Sequence, residues 1–291
     1  MNFDPVVILN ILRHLDYESI INTCHSMPEF DRVCQDPYLW EVKASDDFGI
    51  SKQAFNDLPA RDNLDRYELL MDIKPDRGLI FAVIADSPPL ADYFIKQGAD
   101  NFSSAIDRAV VEGNFKIFKH LLPYADPILI QSVAELAARR GKRRIVDYLL
   151  DNKKIDLTGV AFSAIEGNET GIFDDVVKRG FRRDLYNDAL LIAARNGSNQ
   201  IIDRLVNLGA NNLNAALLEA VEEGKFRTVN QLINLGANRL SEALLQASYR
   251  GYIKTIELLI QKGANNLREA LKNAVDNNQN EAAKVIMSYL S

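Results

Sequence analysis

Two cysteines, three histidines and one dense cationic run are the side chains of this sequence with the most chemistry to offer. Cys24 and Cys34 lie on one amphipathic stretch with nine residues between them. That spacing fits neither a zinc-ligand pair nor a disulfide framework, so both read as core thiols. His14, His25 and His120 sit in unrelated segments, and neither cysteine has a plausible base at motif spacing, so no nucleophile–base pair emerges. A Gly-rich phosphate loop is also missing: "EGNETG" (166–171) and "RNGSNQ" (195–200) read as turns of a repeat rather than nucleotide fingerprints. The expectation is a non-enzymatic chain without catalytic residues, metal or cofactor.

The sharpest charged feature is "RRGKRR": Arg139, Arg140, Lys142, Arg143 and Arg144. Lys153 and Lys154 follow, and Lys178, Arg179, Arg182 and Arg183 come one repeat later. As a solvated turn the run is unremarked. As a site it is a basic patch, in which neighbouring clusters line one edge and attract an acidic protein segment. Nucleic acid is the poorer partner, because no aromatic residues are interleaved for base stacking and the whole chain carries a net charge of −6.

That charge is uneven. Residues 1–72 carry a net −8 and residues 73–291 a net +2, which sets the first quarter apart as a separate module. With 291 residues, 47% of them apolar and 25% charged, the composition is that of a folded chain with a large core. The longest strongly apolar run, Gly78 to Ala85, is too short to span a bilayer, and "MNFDPVV" lacks the basic and small-residue features of a secretion signal. The sequence therefore reads as cytoplasmic, with the nucleus also open to it, and the sequons at Asn101, Asn168 and Asn196 carry no information.

The elements that position these side chains are repeated. Glycines that follow a short apolar segment fall at Gly113, Gly141, Gly167, Gly197, Gly224 and Gly251, with Asn278 in the last slot, at spacings of 28, 26, 30, 27, 27 and 27. A fixed period in this range marks a solenoid. Before each glycine, apolar residues such as Leu213, Ala216, Leu217, Ala220 and Val221 recur at helical spacing. After it a second stripe appears, as in Phe226, Val229, Leu232 and Ile233. Each unit is helix, tight turn, helix and a short connection opening "GAN", and neither helix can bury its stripe unless the units stack.

The stretch "ALLEAVEEGKFRTVNQLINLGAN" resembles the ankyrin repeat, in which a small-residue first helix, a glycine turn, a Val/Leu-rich second helix and a closing "GA[DN]" recur. The resemblance covers residues 75–291, about eight units, and is clearest at Ala189–Ala264. It lacks the "TPLHLA" opening, and its period is about six residues short of the roughly 33 usual for that family, so the projecting hairpin fingers are expected to shrink to tight loops. Contacts to a target are expected from the first helices and their leading loops, which vary between units: Asn187, Ile192, Asn214, Glu219, Gln246, Tyr249 and Arg250. The first unit has Ser87, Pro88 and Pro89 where the turn glycine belongs. Gly159 and the "GNETG" turn predict a bent or loosened unit over 155–183, and the polar last unit reads as a cap facing water.

The first seventy residues do not share the period. "ILRHLD" (Ile11–Asp16), Phe30, Val33 and "DPYLW" (Asp36–Trp40) fall, without gaps, at the spacing of the F-box, which this stretch resembles. Its opening departs from the family: Phe3 and Asp4 stand where Leu and Pro are usual, and Pro5 comes one residue late. An F-box ahead of short, Asn-rich ankyrin-like units is also similar to families expanded in giant DNA viruses, for which the location implied is host cytoplasm. The F-box resemblance implies a Skp-family adaptor as partner, an SCF-type cullin–RING ubiquitin ligase as the assembly, and a target protein held by the repeats. By the same carry-over Phe3, Pro5, Ile8, Ile11, Leu12, Leu15, Ile20 and Ile21 form the adaptor-facing surface, and Trp40 fills the motif's own core. The overall expectation is a monomeric, all-α chain: an F-box-like bundle over 1–48, a helical linker over 49–74 broken at Pro59, and a short-period ankyrin-like solenoid over 75–291. The alternative is an ankyrin-type interaction scaffold with no link to ubiquitin.

Overall fold

A computed structural model describes residues 4–27 and 30–290 of the chain. Among these residues there are 22 α-helices and no strand. They form two compact units, Met1–Val133 and Ala134–Ser291.

The first unit opens with six helices: α1 (Pro5–Leu12), α2 (Tyr17–Ser26), the single turn α3 (Asp31–Cys34), α4 (Pro37–Phe48), α5 (Lys52–Asn56) and α6 (Asn63–Asp72). Their starts are written locally. Asp4, Asp16, Asp36, Ser51 and Asp62 each accept a backbone N–H of the first turn, and Pro5 and Pro37 occupy a first helical position that needs no donor. The break at Pro59 separates α5 from α6 as expected. Helix α4 packs on α5 and α6, while α1 and α2 both pack on α3. Two helix pairs complete the unit, α7 (Pro75–Ile84) with α8 (Pro88–Lys96) and α9 (Phe102–Glu112) with α10 (Phe115–Leu121), and α5 lies against α8.

Six more pairs follow. Helix α11 (Leu129–Arg139), which straddles the boundary, precedes α12 (Arg143–Asn152). Then come α13 (Leu157–Glu166) with α14 (Thr170–Lys178), α15 (Tyr186–Asn196) with α16 (Asn199–Asn207), α17 (Leu213–Glu222) with α18 (Phe226–Asn234), α19 (Leu240–Arg250) with α20 (Ile253–Gln261), and α21 (Leu267–Asp276) with α22 (Asn280–Ser288). Along α13, α15, α17, α19 and α21 each first helix packs on the next, and the second helices α12 to α22 stack likewise. Fully buried alanines such as Ala189, Ala193, Ala216, Ala220, Ala243 and Ala247 let the first helices approach closely.

The turn inside each pair sits in the left-handed region at Asp86, Gly113, Gly141, Asn168, Gly197, Gly224, Gly251 and Asn278, spaced 27, 28, 27, 29, 27, 27 and 27. Two positions differ from the expected register. Asp86, rather than the prolines after it, makes the first turn, and Asn168 rather than Gly167 makes the fourth. The longest spacing is accommodated in the 3₁₀ turn Arg183–Leu185. After the turn residue, the next N–H closes back on the helix, as Ser198 N–H does on the Ala193 carbonyl at 2.9 Å and Lys225 N–H on Ala220 at 2.8 Å.

Two sequence expectations are corrected. Over 155–183 the fourth pair is not loosened: Val160, Ala161, Ala164 and Ile165 are buried like their equivalents. Gly167 is required there because the Arg139 carbonyl occupies the space a Cβ would need. In the last pair Val275 and Met287 are each 56% exposed, whereas the residues equivalent to Val275 in the two preceding pairs, Val221 and Ser248, are buried. Cys24 and Cys34 are not core thiols. They are partly exposed and joined as a disulfide, with Cα atoms 5.9 Å apart. Helix α3 turns back on α2 and brings them together, which the sequence separation alone does not reveal.

Candidate partner-binding surfaces

In the first unit the residues of "ILRHLD" and "DPYLW" take defined places. Asp16 caps α2, and the hydrogen bonds from the Ser19 backbone and hydroxyl hold its carboxyl below the usual range. Asp36 and Pro37 start α4, whose Leu39 and Trp40 are buried. The Trp40 indole N–H donates to the Cys34 carbonyl at 3.2 Å, and its ring packs against Tyr67 at 5.3 Å. Tyr17 stacks on Tyr67 at 6.0 Å and donates to Glu68 at 2.5 Å, which pushes its pKa up to about 12. Burial, and then a hydrogen bond to Asp47, raises the Tyr67 phenol further.

Helix α1 is pinned across the bundle by Arg13, whose guanidinium grips Asp46 of α4 with two nitrogens at 2.9 and 3.0 Å. Burial shows which side of α1 faces in. Ile8 and Leu12 are 2% and 0% exposed, whereas Val6, Val7 and Ile11 are 63%, 48% and 47% exposed. Of the residues expected to face an adaptor, Ile8, Leu12 and Ile20 are thus core side chains. Pro5 and Ile11 are exposed, Leu15 and Ile21 are half-buried, and Phe3 lies outside the described residues. The outward apolar surface of α1 is Val6, Val7 and Ile11. Val7 and Ile11 stand four apart, which puts them on one face.

In the second unit, the residues expected to touch a target turn out to hold consecutive pairs together. Asn187 Oδ1 accepts the backbone N–H groups of Asn211 at 2.9 Å and Asn212 at 3.2 Å, and Asn187 Nδ2 donates to Asn211 Oδ1. Asn214 repeats this arrangement with Asn238 and Arg239, at 2.8 and 3.0 Å. Ser241 does so in part with Asn265. The first unit contains the same device, with Asp76 accepting from Asp100 and Asn101. Each such side chain begins a first helix and satisfies the loop that leads into the next one, which is why the connections can be short. Glu219 pairs with Arg195 at 3.0 Å, and Gln246 and Arg250 both engage Glu222. Ile192 is half-buried; Tyr249 is exposed, with the Arg250 guanidinium 5.8 Å from its ring centre.

The surface missed at the sequence level lies beside these. Leu191, Leu218 and Leu245 occupy the same register position on α15, α17 and α19, and each is half-buried. Because those helices are neighbours, the three half-buried leucines recur at one register position along them. The matched period carried the signal: all three stand six residues before a turn glycine.

The basic patch is not an open anion site. Arg139 pairs with Glu166 at 2.7 Å, Arg143 with Asp175 at 2.6 Å, Arg179 with Asp151 at 2.6 Å and Arg204 with Asp174 at 3.5 Å. These rungs cross from one pair to the next, so the cations that line up along α12, α14 and α16 face carboxylates that line up with them. Arg140 and Arg144 are exposed, and Lys142 is half-buried at the start of α12.

Among the described residues no group of three or more His, Cys, Asp or Glu side chains is placed to hold a metal ion, and no helix is long and apolar enough to cross a membrane. No family model matches the chain, and no curated protein matches it.

Proposed function

We propose that this chain recruits a target protein to a ubiquitin ligase of the cullin–RING type. The N-terminal helices dock a Skp-family adaptor through the outward face of α1, and the ankyrin-like helix pairs hold the target. The observation that carries this reading is the exposed aliphatic surface Val6, Val7 and Ile11 on a helix that Arg13 and the buried pair Ile8 and Leu12 keep in one orientation. Three large apolar side chains displayed together on a one-sided helix gain most from burial in a partner. On the repeats, Leu191, Leu218 and Leu245 supply an apolar centre and Tyr249 an aromatic anchor, the residue mix of a protein interface. The role is one of bringing proteins together, with no chemistry assigned to the chain itself.

The test is calorimetric titration of the full chain with a purified Skp-family adaptor. Saturable one-to-one binding is expected. If the adaptor does not bind, the ligase reading is lost and a target-binding scaffold, whose working surface includes these leucines, takes its place.

A further inference from the structure

The Cys24–Cys34 bond lies in the least self-sufficient part of the first unit. Helix α3 is a single turn of four residues, too short to persist without tertiary support. Its own Val33 and the preceding Phe30 are buried, and the Trp40 ring N–H holds the Cys34 carbonyl. Helices α1 and α2 both rest on α3, so its position sets the floor beneath α1. Both cysteines are partly exposed. Cys34 also lines a cleft of about 250 Å³ with Pro37, Trp40 and Asn63.

We propose that Cys24 and Cys34 form a reversible thiol–disulfide latch that fastens α3 to α2. The exchange partner is a small disulfide such as oxidised glutathione. One protein thiolate attacks it, forming a mixed disulfide and releasing one glutathione thiolate; the second protein thiolate then displaces the other. The protein loses two electrons and two protons overall, and one glutathione disulfide becomes two thiols. A dithiol reductant runs the sequence backwards. With the bond closed, the ten-residue separation between the cysteines is a short covalent loop and α3 is confined. With it open, α3 is held by its packing on α1 and α2, the buried Phe30 and Val33, and one indole hydrogen bond.

The full chain is equilibrated in glutathione buffers from fully reduced to fully oxidised, free thiols are trapped by alkylation, and the mass is read. Hydrogen exchange over residues 24–40 is followed in the two end states and in the Cys24→Ser, Cys34→Ser double variant. Expected are a single transition in which both thiols disappear together and exchange about tenfold or more faster when the bond is open, with the serine variant matching the reduced protein. Two alkylated thiols in fully oxidised buffer overturn the proposal. So does equal exchange in the two redox states, which makes the bond a passive cross-link. If the serine variant does not fold, the reduced wild-type chain gives the same comparison. Adaptor binding measured in both redox states bears on the ligase reading separately: no binding in either state removes that reading and leaves the latch standing.

Discussion

The side-chain oxygen of Asn187 accepts the backbone N–H of Asn211 at 2.9 Å, 24 residues along the chain, and the equivalent bond joins Asn214 to Asn238 at 2.8 Å. These two asparagines are therefore joints between pairs. Asn214→Ala leaves two loop N–H groups to water, and the net loss is about 1–2 kcal/mol. Chemical denaturation should register this as an earlier midpoint with an unchanged slope, and Asn187→Ala should behave alike. Target binding lost at full stability would instead make these residues contacts.

The rungs Arg143–Asp175 and Arg179–Asp151 are partly exposed, and pairs of this kind contribute about 0.2–1 kcal/mol each. Arg143→Gln with Arg179→Gln should lower stability by about 1 kcal/mol at low ionic strength. Raising salt from about 0.01 M to about 1 M shortens the screening length from about 30 Å to about 3 Å, so the gap between variant and wild type should close. A gap independent of salt would point to lost packing by the arginine stems.

Tyr17 ties the N-terminal bundle to a pH window. Its hydrogen bond to Glu68 exists only while the phenol keeps its proton, and its folded pKa is raised from 10.0 to about 12. A raised folded value means the contribution is complete below pH 10 and is lost as pH climbs through about 12. Phenolate absorbance should show Tyr17 and Tyr67 ionising late in the native protein, with alkaline melting of the first unit in that window. Tyr17→Phe should remove the Tyr17 part of this dependence; an unchanged alkaline limb in that variant would show that Tyr17 plays no part.

Much of this architecture was legible because a period of about 27 residues imposes itself on every level at once. The helix stripes, the turns and the "GAN" connections all repeat, so the all-helical pairing follows from spacing alone. The register slipped by one at the fourth turn because glycine and asparagine share a tolerance for the left-handed region, and Gly167 and Asn168 are adjacent. Gly167 was needed for another reason, the close approach of Arg139. The partners of Arg139 and Arg143 in the arginine run, Glu166 and Asp175, stand a repeat or so further along the chain; stacking at the repeat period brings them opposite. On α1 the sequence marks an apolar helix, but nearly every side of it is apolar, and periodicity cannot say which stripe turns inward. The tertiary burial of Ile8 and Leu12 settles that, and the salt bridge from Arg13 to Asp46, 33 residues away, adds a smaller contribution.

That orientation of α1 yields the most discriminating prediction. Ile8 and Leu12 are core residues, and replacing a buried Ile or Leu by Ala costs about 2–5 kcal/mol each. Ile8→Ala with Leu12→Ala should therefore melt the first unit, and Trp40→Ala, at about 3–5 kcal/mol, should do the same. Val7 and Ile11 are half-exposed, so Val7→Ala with Ile11→Ala should leave the helical signal and the melting temperature almost unchanged. Burying an aliphatic side chain at an interface contributes about 1.5–3 kcal/mol, and each 1.4 kcal/mol is about tenfold in affinity. The Val7 and Ile11 pair should therefore weaken Skp-family adaptor binding by about tenfold or more while the protein stays folded. Circular dichroism and calorimetry on the same samples separate the cases. Full adaptor affinity in the Val7/Ile11 variant would move the docking surface off α1, and an Ile8/Leu12 variant that folds normally but no longer binds would return it to the face that packs inward here.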